Sequence, residues 1–220
     1  MSRWLLIPAV LLVLAAPAAR GQPLPATRTA ATTVLARVQA YYDRTADYKA
    51  SFKQVVTTQA PHRVFARSGN VYFKRPGMMR WDYKDPDQVY YVSDGKDLWS
   101  YEVEEGIAYR LRVDRSDLFQ ALRFLTGPTD LASEFQVEEG APAPTGLVPL
   151  KLTPRGSQSA FRSVTLFADP ATGEVRESEV VDPIGNVSHL TFSGPSTARL
   201  PSDRFKFTPP AGVRVQDLTK

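Results

Sequence analysis

Cysteine is absent from this chain of 220 residues. No disulfide can therefore brace the fold, and the domain has to be stabilised by its own hydrophobic core. The same absence removes the thiol that lipid attachment requires, so the chain cannot itself be a lipoprotein. Histidine is almost absent as well, and neither His62 nor His189 belongs to an obvious metal-ligand cluster. The sequence predicts no metal site and no cofactor.

Motifs of the common enzyme classes are also missing. There is no G-x-S-x-G elbow, no phosphate-binding glycine loop and no H-E-x-x-H. Glu102, Glu104 and Glu105 form an acidic run that is typical of a solvated hairpin tip. The formal net charge is +4, but the basic residues are scattered, which argues against a nucleic-acid partner. The sequence predicts a protein that is not an enzyme, although a site built from residues far apart in the chain stays open.

The first residues have the pattern of a secretory signal. Arg3 precedes an apolar run from Trp4 to Ala16, and Ala16-Pro17-Ala18 and Ala19-Arg20-Gly21 offer cleavage sites. The run is shorter than the roughly 20 apolar residues that cross a bilayer. We therefore expect residues 1–21 to be removed on export and residues 22–220 to form one soluble domain. An uncleaved membrane anchor is the alternative.

Hydrophobic periodicity divides the rest of the chain into helices and strands. Apolar residues at helical spacing predict a helix over Thr29 to Tyr42 and a second over Ser116 to Leu125, with a helical turn within Thr129 to Phe135. Strand patterns begin at Tyr48 and end with Arg204 to Phe207. Roughly eleven strands with short antiparallel links predict a single strongly curved sheet with helices on its concave side.

The stretch from Asn70 to Tyr101 carries aromatic residues at strand spacing. If Asp94-Gly95 is a two-residue turn, Tyr90 faces Trp99, and if the preceding loop has four residues, Tyr83 faces Gln88. This register places a large apolar set on one face: Met79, Trp81, Tyr83, Tyr90, Val92, Trp99 and Tyr101. The other face would receive Arg80, Asp82, Val89, Tyr91, Leu98 and Ser100. The apolar face fits either an ordinary core under helices or a ligand cavity.

Several motifs of this stretch resemble the outer-membrane lipoprotein carrier family, LolA. The matching segments are Lys74-Arg75-Pro76-Gly77, Met79-Arg80-Trp81-Asp82-Tyr83, Val92-Ser93-Asp94-Gly95-Lys96 and Leu98-Trp99-Ser100-Tyr101. Residues 204–213, RFKFTPPAGV, are similar to the closing motif of the family. The motifs follow the family's order over nearly the whole mature chain.

The resemblance implies an unclosed half-barrel whose concave apolar face is covered by a helical lid. It implies a lipid-binding cavity, with Tyr72, Met79, Trp81, Tyr83, Tyr90, Trp99 and Tyr101 as its floor. Leu118, Phe119, Leu122 and Leu125 would form the lid, and Arg75 would hydrogen-bond to the lid and hold the empty cavity shut. We expect Arg80 to point to the outer face and to pair with a carboxylate such as Asp82.

The function implied is that of a monomeric periplasmic carrier of acylated lipoproteins. Its donor would be an ATP-driven inner-membrane complex that releases lipoproteins. Its acceptor would be a lipid-anchored outer-membrane receptor or the outer membrane itself. Two alternatives remain: a carrier of free lipid or glycolipid on the same fold, and a regulatory module that senses lipoproteins without moving them.

Overall fold

The computed structural model describes residues 26–113, 130–139, 145–156 and 161–219. Within these residues, twelve strands form one curved, unclosed sheet. The helices found there are α1 (Ala26–Arg44), α2 (Leu131–Glu134) and a 3-10 helix at Ser202–Phe205. The strands are β1 (Asp47–Gln59), β2 (His62–Lys74), β3 (Met78–Asp85), β4 (Val89–Asp94), β5 (Asp97–Glu102), β6 (Ile107–Arg112), β7 (Phe135–Glu139), β8 (Val148–Pro154), β9 (Ser163–Ala168), β10 (Val175–Val181), β11 (Val187–Ser196) and β12 (Arg214–Asp217).

The sheet confirms the predicted fold class. Its spatial order is β12-β6-β5-β4-β3-β2-β1-β11-β10-β9-β8-β7, so the two terminal strands of this order are not paired with each other. Neighbouring strands are antiparallel except at one edge, where β12 runs parallel to β6. The predicted signal segment 1–21 and the predicted lid helix 116–125 lie outside the described residues. None of the described helices has the length and apolar character needed to span a bilayer.

Helix α1 lies against the side of the sheet that we call the inner face. Its apolar stripe, Val34, Val38 and Tyr42, is buried in the same cluster as side chains from both halves of the sheet. From one half come Phe52 and Trp81, and from the other Leu150, Leu152, Val164 and Leu166. The helix predicted over Thr29 to Tyr42 is therefore confirmed, and so is its apolar stripe.

The turn between β9 and β10 fixes the position of α1. Gly173 has φ +79°, and a Cβ at this position would lie 2.2 Å from the carbonyl oxygen of Arg37 in α1. Next to this contact, the Tyr41 hydroxyl donates to Glu174 Oε1 at 3.1 Å. Because the helix backbone passes directly over Gly173, any side chain there would push α1 away from the sheet.

The predicted pairing of β3 with β4 is wrong by one residue. Tyr83 lies opposite Val89, where a four-residue loop would have placed it opposite Gln88. A shift of one residue reverses the face of every side chain that follows. Tyr91 and Leu98 therefore join Trp81 on the inner face, and the predicted set is split between the two faces.

The β4–β5 turn also differs from its prediction, but with no effect on the faces. The turn is Gly95-Lys96 and not Asp94-Gly95, so that Tyr90 faces Tyr101 and Val92 faces Trp99. The partners move by two positions, and side chains two positions apart share a face.

The C-terminal region departs from its predicted strand. Residues predicted as a strand over Arg204 to Phe207 begin with the end of the 3-10 helix and continue as irregular chain. The twelfth strand is β12, which the sequence pattern did not predict. The segment from Pro201 to Phe207 crosses the outer face of the sheet over β3 and β4, and Phe205 is 1% exposed there.

Candidate functional site

The inner face of β1, β2 and β3 forms an aromatic floor, which we define as Phe52, Phe73, Met79, Trp81 and Tyr83. Strand pairing explains why these side chains meet: Phe73 lies opposite Met79, and Val71 lies opposite Trp81. The ring centroid of Phe52 is 4.9 Å from those of both Trp81 and Tyr83. All five side chains are less than 10% exposed. The floor is a continuous apolar surface of large side chains.

Gly69 allows this floor to close. It lies opposite Phe52 on β2, and the pairing of β2 with β3 shifts between Ser68 and Gly69. A Cβ at Gly69 would lie 2.0 Å from the carbonyl oxygen of Asp82, so only glycine fits this contact. With no side chain at Gly69, the ring of Phe52 can cross towards Tyr83.

The floor also contains polar atoms in an apolar setting. Trp81 Nε1 is buried and has no hydrogen-bond partner among the described residues. Gln54 Oε1, further along β1 on the same face, is also buried without a hydrogen-bond partner among the described residues. Burial raises the pKa of Tyr83 well above its usual value, with nearby Tyr91 as the second cause. A ligand that supplies a hydrogen-bond acceptor could satisfy the indole N–H, which otherwise stays unpaired at a cost.

The predicted cavity residues fall into two groups. Met79, Trp81 and Tyr83 lie together in the aromatic floor. The other four residues of the predicted floor lie on the opposite face of the sheet: Tyr72, Tyr90, Trp99 and Tyr101. The predicted face shared by Met79, Trp81 and Tyr83 with the last three is therefore wrong. Tyr72 lies opposite Arg80, and Tyr90 lies opposite Asp82, which places them on the outer face.

On the outer face three of these side chains, Tyr72, Trp99 and Tyr101, pack against the C-terminal segment, and Tyr90 stacks on Tyr101. The Phe207 ring centroid lies 5.4 Å from that of Trp99 and 5.5 Å from that of Tyr101. The guanidinium of Arg204 lies 4.6 Å from the centre of the Tyr72 ring. We call Tyr72, Tyr90, Trp99 and Tyr101, together with Val92 and Phe205, the outer cluster.

Arg80 belongs to the same surface. Its Nε donates to Asp82 Oδ1 at 2.6 Å, and its Nη1 donates to the carbonyl oxygen of Arg204 at 3.1 Å. The expectation that Arg80 points outward and pairs with Asp82 is therefore confirmed. The ion pair also links the sheet to the C-terminal segment, which the sequence did not indicate.

Arg75 follows β2 and lies near the end of α1. Its backbone N–H donates to the carbonyl oxygen of Ala46 at 2.8 Å, and its Nη2 is 4.0 Å from Asp43 Oδ1. The side chain is 20% exposed. Within the described part of the chain, its Nε and Nη2 are buried and find no hydrogen-bond acceptor. The predicted lid residues Leu118, Phe119, Leu122 and Leu125 lie outside the described residues.

Sequence reasoning missed the contributions of β1 and β2 to the floor. Phe52 and Phe73 are 1% and 3% exposed and contact Trp81. The signal was present in the alternation of Tyr48, Ala50 and Phe52 along β1, which are all buried on the inner face. The floor offers a broad apolar contact surface, which is what a binding site for an apolar ligand requires.

Comparisons with known proteins point to one family. A family model described as "Outer membrane lipoprotein carrier protein LolA" matches residues 43–208. A relative named outer-membrane lipoprotein carrier protein, from Nitrosospira multiformis, is 30% identical over 190 residues, covering 86% of this chain and 91% of its own length. A protein of the same name from Ralstonia nicotianae is 32% identical over 149 residues, covering 67% of this chain and 68% of its own.

A solved structure supports the fold. The crystal structure of an uncharacterized conserved protein from Thermus thermophilus superimposes with a TM-score of 0.54 at 15% identity. It covers 85% of this chain and 98% of that one. At this identity the likeness establishes a shared fold.

Proposed function

The chain belongs to the outer-membrane lipoprotein carrier family, and from this membership and the inner face we propose that it carries acylated lipoproteins. The observation that supports this most directly is the aromatic floor, which lies within the matched residues 43–208. A chain of about 16 carbons costs on the order of 12 kcal/mol to expose to water, at about 0.8 kcal/mol per methylene. An escort has to offer apolar area of that size, and the inner face carries large apolar side chains across both halves of the sheet.

We assign acyl contact to the floor residues of the inner face. Met79, Trp81 and Tyr83 keep the role that the sequence suggested, and Phe52 and Phe73 join them. Tyr72, Tyr90, Trp99 and Tyr101 are left out of the contact surface because they lie in the outer cluster. A role as carrier fits this site without any catalytic step.

Arg75 fits the role of a latch for the empty state. Its buried Nε and Nη2 have no acceptor among the described residues, and a guanidinium presents its donors in a fixed fork that suits backbone carbonyls. The lid residues Leu118, Phe119, Leu122 and Leu125 follow in the sequence and are our proposed source of those carbonyls. Closing the lid onto the floor would keep the empty cavity dry, and opening it would admit cargo.

The route of the cargo is proposed from the same family membership. The chain would be exported with residues 1–21 as a cleaved signal and would act in the periplasm as a monomer. It would take cargo from an ATP-driven inner-membrane complex and release it to a lipid-anchored receptor or to the outer membrane.

The proposal is tested by identifying what the protein binds. Protein purified from periplasm is analysed by mass spectrometry under native conditions, and we expect acylated polypeptides to co-purify. Protein with Trp81→Glu should lose them, because an unpaired carboxylate on an apolar surface costs several kcal/mol. Lys151→Glu, at an exposed position on β8, is the control. Free lipid or glycolipid in place of acylated polypeptides would overturn the assigned cargo.

A further inference from the structure

Exposed apolar side chains gather at one end of the molecule. Val55, Val64 and Phe65 are 41%, 62% and 40% exposed on the β1–β2 hairpin, and Ile184 is 77% exposed in the β10–β11 turn. The other large exposed apolar side chains among the described residues are Val215 and Leu218, near the C-terminus. We call residues 55–66 with the adjoining turn 182–186 the hairpin tip.

The hairpin tip projects beyond β3 on one side and is held by β11 on the other, where Thr57 lies opposite Val187. β1 and β2 pair without a shift from Asp47 opposite Lys74 to Gln59 opposite His62, whereas β3 pairs with β2 only from Ser68 onward. The free part of β2 spans roughly 20 Å at about 3.3 Å per residue. The Gln59 backbone N–H donates to Asn186 Oδ1 at 3.0 Å, which joins the hairpin to the β10–β11 turn.

Beyond Asp47, which pairs with Lys74 at the far end of the hairpin, the charged side chains of this hairpin are basic. No aspartate or glutamate occurs from Tyr48 to Trp81, while lysine, arginine and histidine recur: Lys49, Lys53, His62, Arg63, Arg67, Lys74, Arg75 and Arg80. Arg162 adds a further cation at the tip, where its Nη2 donates to the carbonyl oxygen of Pro183 at 2.8 Å.

Acidic groups near the tip have partners or lie further back. Glu177 and Glu179 lie beside His189, which is opposite Val55. Asp182 accepts hydrogen bonds from the backbone N–H groups of Ile184 and Asn186 and from the Asn186 side chain. Asp87, Glu102, Glu104 and Glu105 lie at the ends of the shorter strands, around Arg67. The outermost surface is therefore apolar and basic.

We propose that the hairpin tip docks onto the surface of a lipid bilayer that contains anionic phospholipids. Apolar side chains flanked by arginine are the combination that binds such interfaces, since the first enter the acyl boundary and the second attract the head groups. Val56 and Phe65 lie opposite each other on the inner face and continue the line of Phe52. From this pair the inner face leads to the aromatic floor past Gln54 and Arg67, which lie opposite each other, so acyl chains would cross one polar step on the way. Only this last step, the passage of acyl chains, rests on the proposed carrier function.

The test is flotation of cargo-free protein, residues 22–220, with vesicles on a density gradient. Vesicles of phosphatidylethanolamine with phosphatidylglycerol should bind it, and adding salt should weaken binding. Ile184→Asp and Val64→Asp should each lower the vesicle partition coefficient about tenfold or more. Val64→Thr, which keeps the shape of the side chain, guards against a folding artefact and should lower it severalfold. Leu218→Asp, at the other exposed apolar site, should leave it unchanged.

Each other outcome counts against the docking surface. The proposal would be overturned if wild-type protein did not float with any of the vesicles. It would also be overturned if the tip variants floated as well as wild type. Protein that binds native envelope membranes but not vesicles made from their extracted lipids has a protein partner instead. A concentration-dependent dimer that Ile184→Asp abolishes would make the tip a contact between copies. Acyl-probe binding in solution is measured in parallel, and its failure in wild type would count against the carrier function and not against docking.

Discussion

Trp81 and Trp99 lie on opposite faces of the same sheet and should report different events. Trp81 is 2% exposed in the aromatic floor, and Trp99 packs on Phe207 in the outer cluster. In protein spanning residues 22–220, we expect an acyl ligand to change the fluorescence emission of the Trp99→Phe variant, in which Trp81 remains. The Trp81→Phe variant should respond weakly. Equal responses from the two variants would show that cargo does not lie on the floor.

Arg75→Leu should give a carrier that loads cargo but does not release it. Charge-assisted hydrogen bonds contribute about 1.5–3 kcal/mol each, and leucine would remove those that stabilise the closed, empty state. Because unloading ends in that state, its driving force falls by the same amount. The measurement is transfer of a loaded acylated peptide to acceptor membranes. Arg75→Lys keeps the charge but loses the forked set of donors, so its release of cargo should be intermediate between wild type and Arg75→Leu. Normal release by the leucine variant would show that Arg75 is an ordinary turn residue.

At the scale of the element, α1 contributes two tyrosines that make stability depend on alkaline pH. Burial raises the pKa of Tyr42 well above its usual value, and burial together with Glu174 raises the pKa of Tyr41 to about 12. In the unfolded chain both tyrosines have a pKa of about 10. Below that pH both states are protonated, and above it the unfolded state loses protons first. The free energy of unfolding should therefore fall as pH rises from about 10 towards 12.

The fall can be assigned to one side chain by denaturant titration at several pH values. Each tyrosine can contribute a slope of up to about 1.4 kcal/mol per pH unit. Tyr42→Phe removes one titrating group. The variant should therefore lose less stability than wild type between about pH 9 and about pH 11, a range that spans the pKa of tyrosine in the unfolded chain. An unchanged slope in this variant would place the alkaline sensitivity elsewhere.

The seat of α1 on the sheet is tested by a pair of glycines. Gly173 and Gly212 have φ +79° and +83°, but only Gly173 has α1 backbone within reach of a Cβ. Gly212→Ala should cost about 1 kcal/mol from the left-handed backbone alone. Gly173→Ala should cost several kcal/mol more, because Arg37 has to move. Chemical denaturation of both variants gives the comparison, and equal losses would show that α1 is free to shift.

At the scale of the whole molecule, the fold class could be predicted from the sequence and the register could not. Roughly eleven strands were predicted and the described residues form twelve, because turn residues mark most of the strand boundaries. The face of β4 and β5 was predicted wrongly because both faces carry large apolar side chains, Tyr91 and Leu98 on one and Val92 and Trp99 on the other. Alternation fixes a register only when one face is polar.

The contact that decides the faces of β4 and β5 is made by a segment about 100 residues later in the sequence. The outer face of β3 to β5 needs apolar residues because the segment from Pro201 to Phe207 covers it. This segment is separated from Trp99 by most of the second half of the sheet, and local pattern carries no sign of such a contact. The position of Arg80 under the carbonyl of Arg204 has the same origin.

Two apolar layers on opposite faces should be separable by mutation. Phe205→Ala removes a side chain that is 1% exposed in the outer cluster, and deleting a buried phenylalanine costs about 3–5 kcal/mol. The aromatic floor lies on the other side of the sheet, so the affinity for an acyl probe should stay within about twofold of wild type where the variant is folded, a change below 1 kcal/mol. Phe65→Ala, at a side chain that is 40% exposed, should lose much less stability. If Phe205→Ala abolished acyl binding while the protein remained folded, the outer cluster would be part of the binding site. Both faces of the sheet would then contribute to binding, and not the inner face alone.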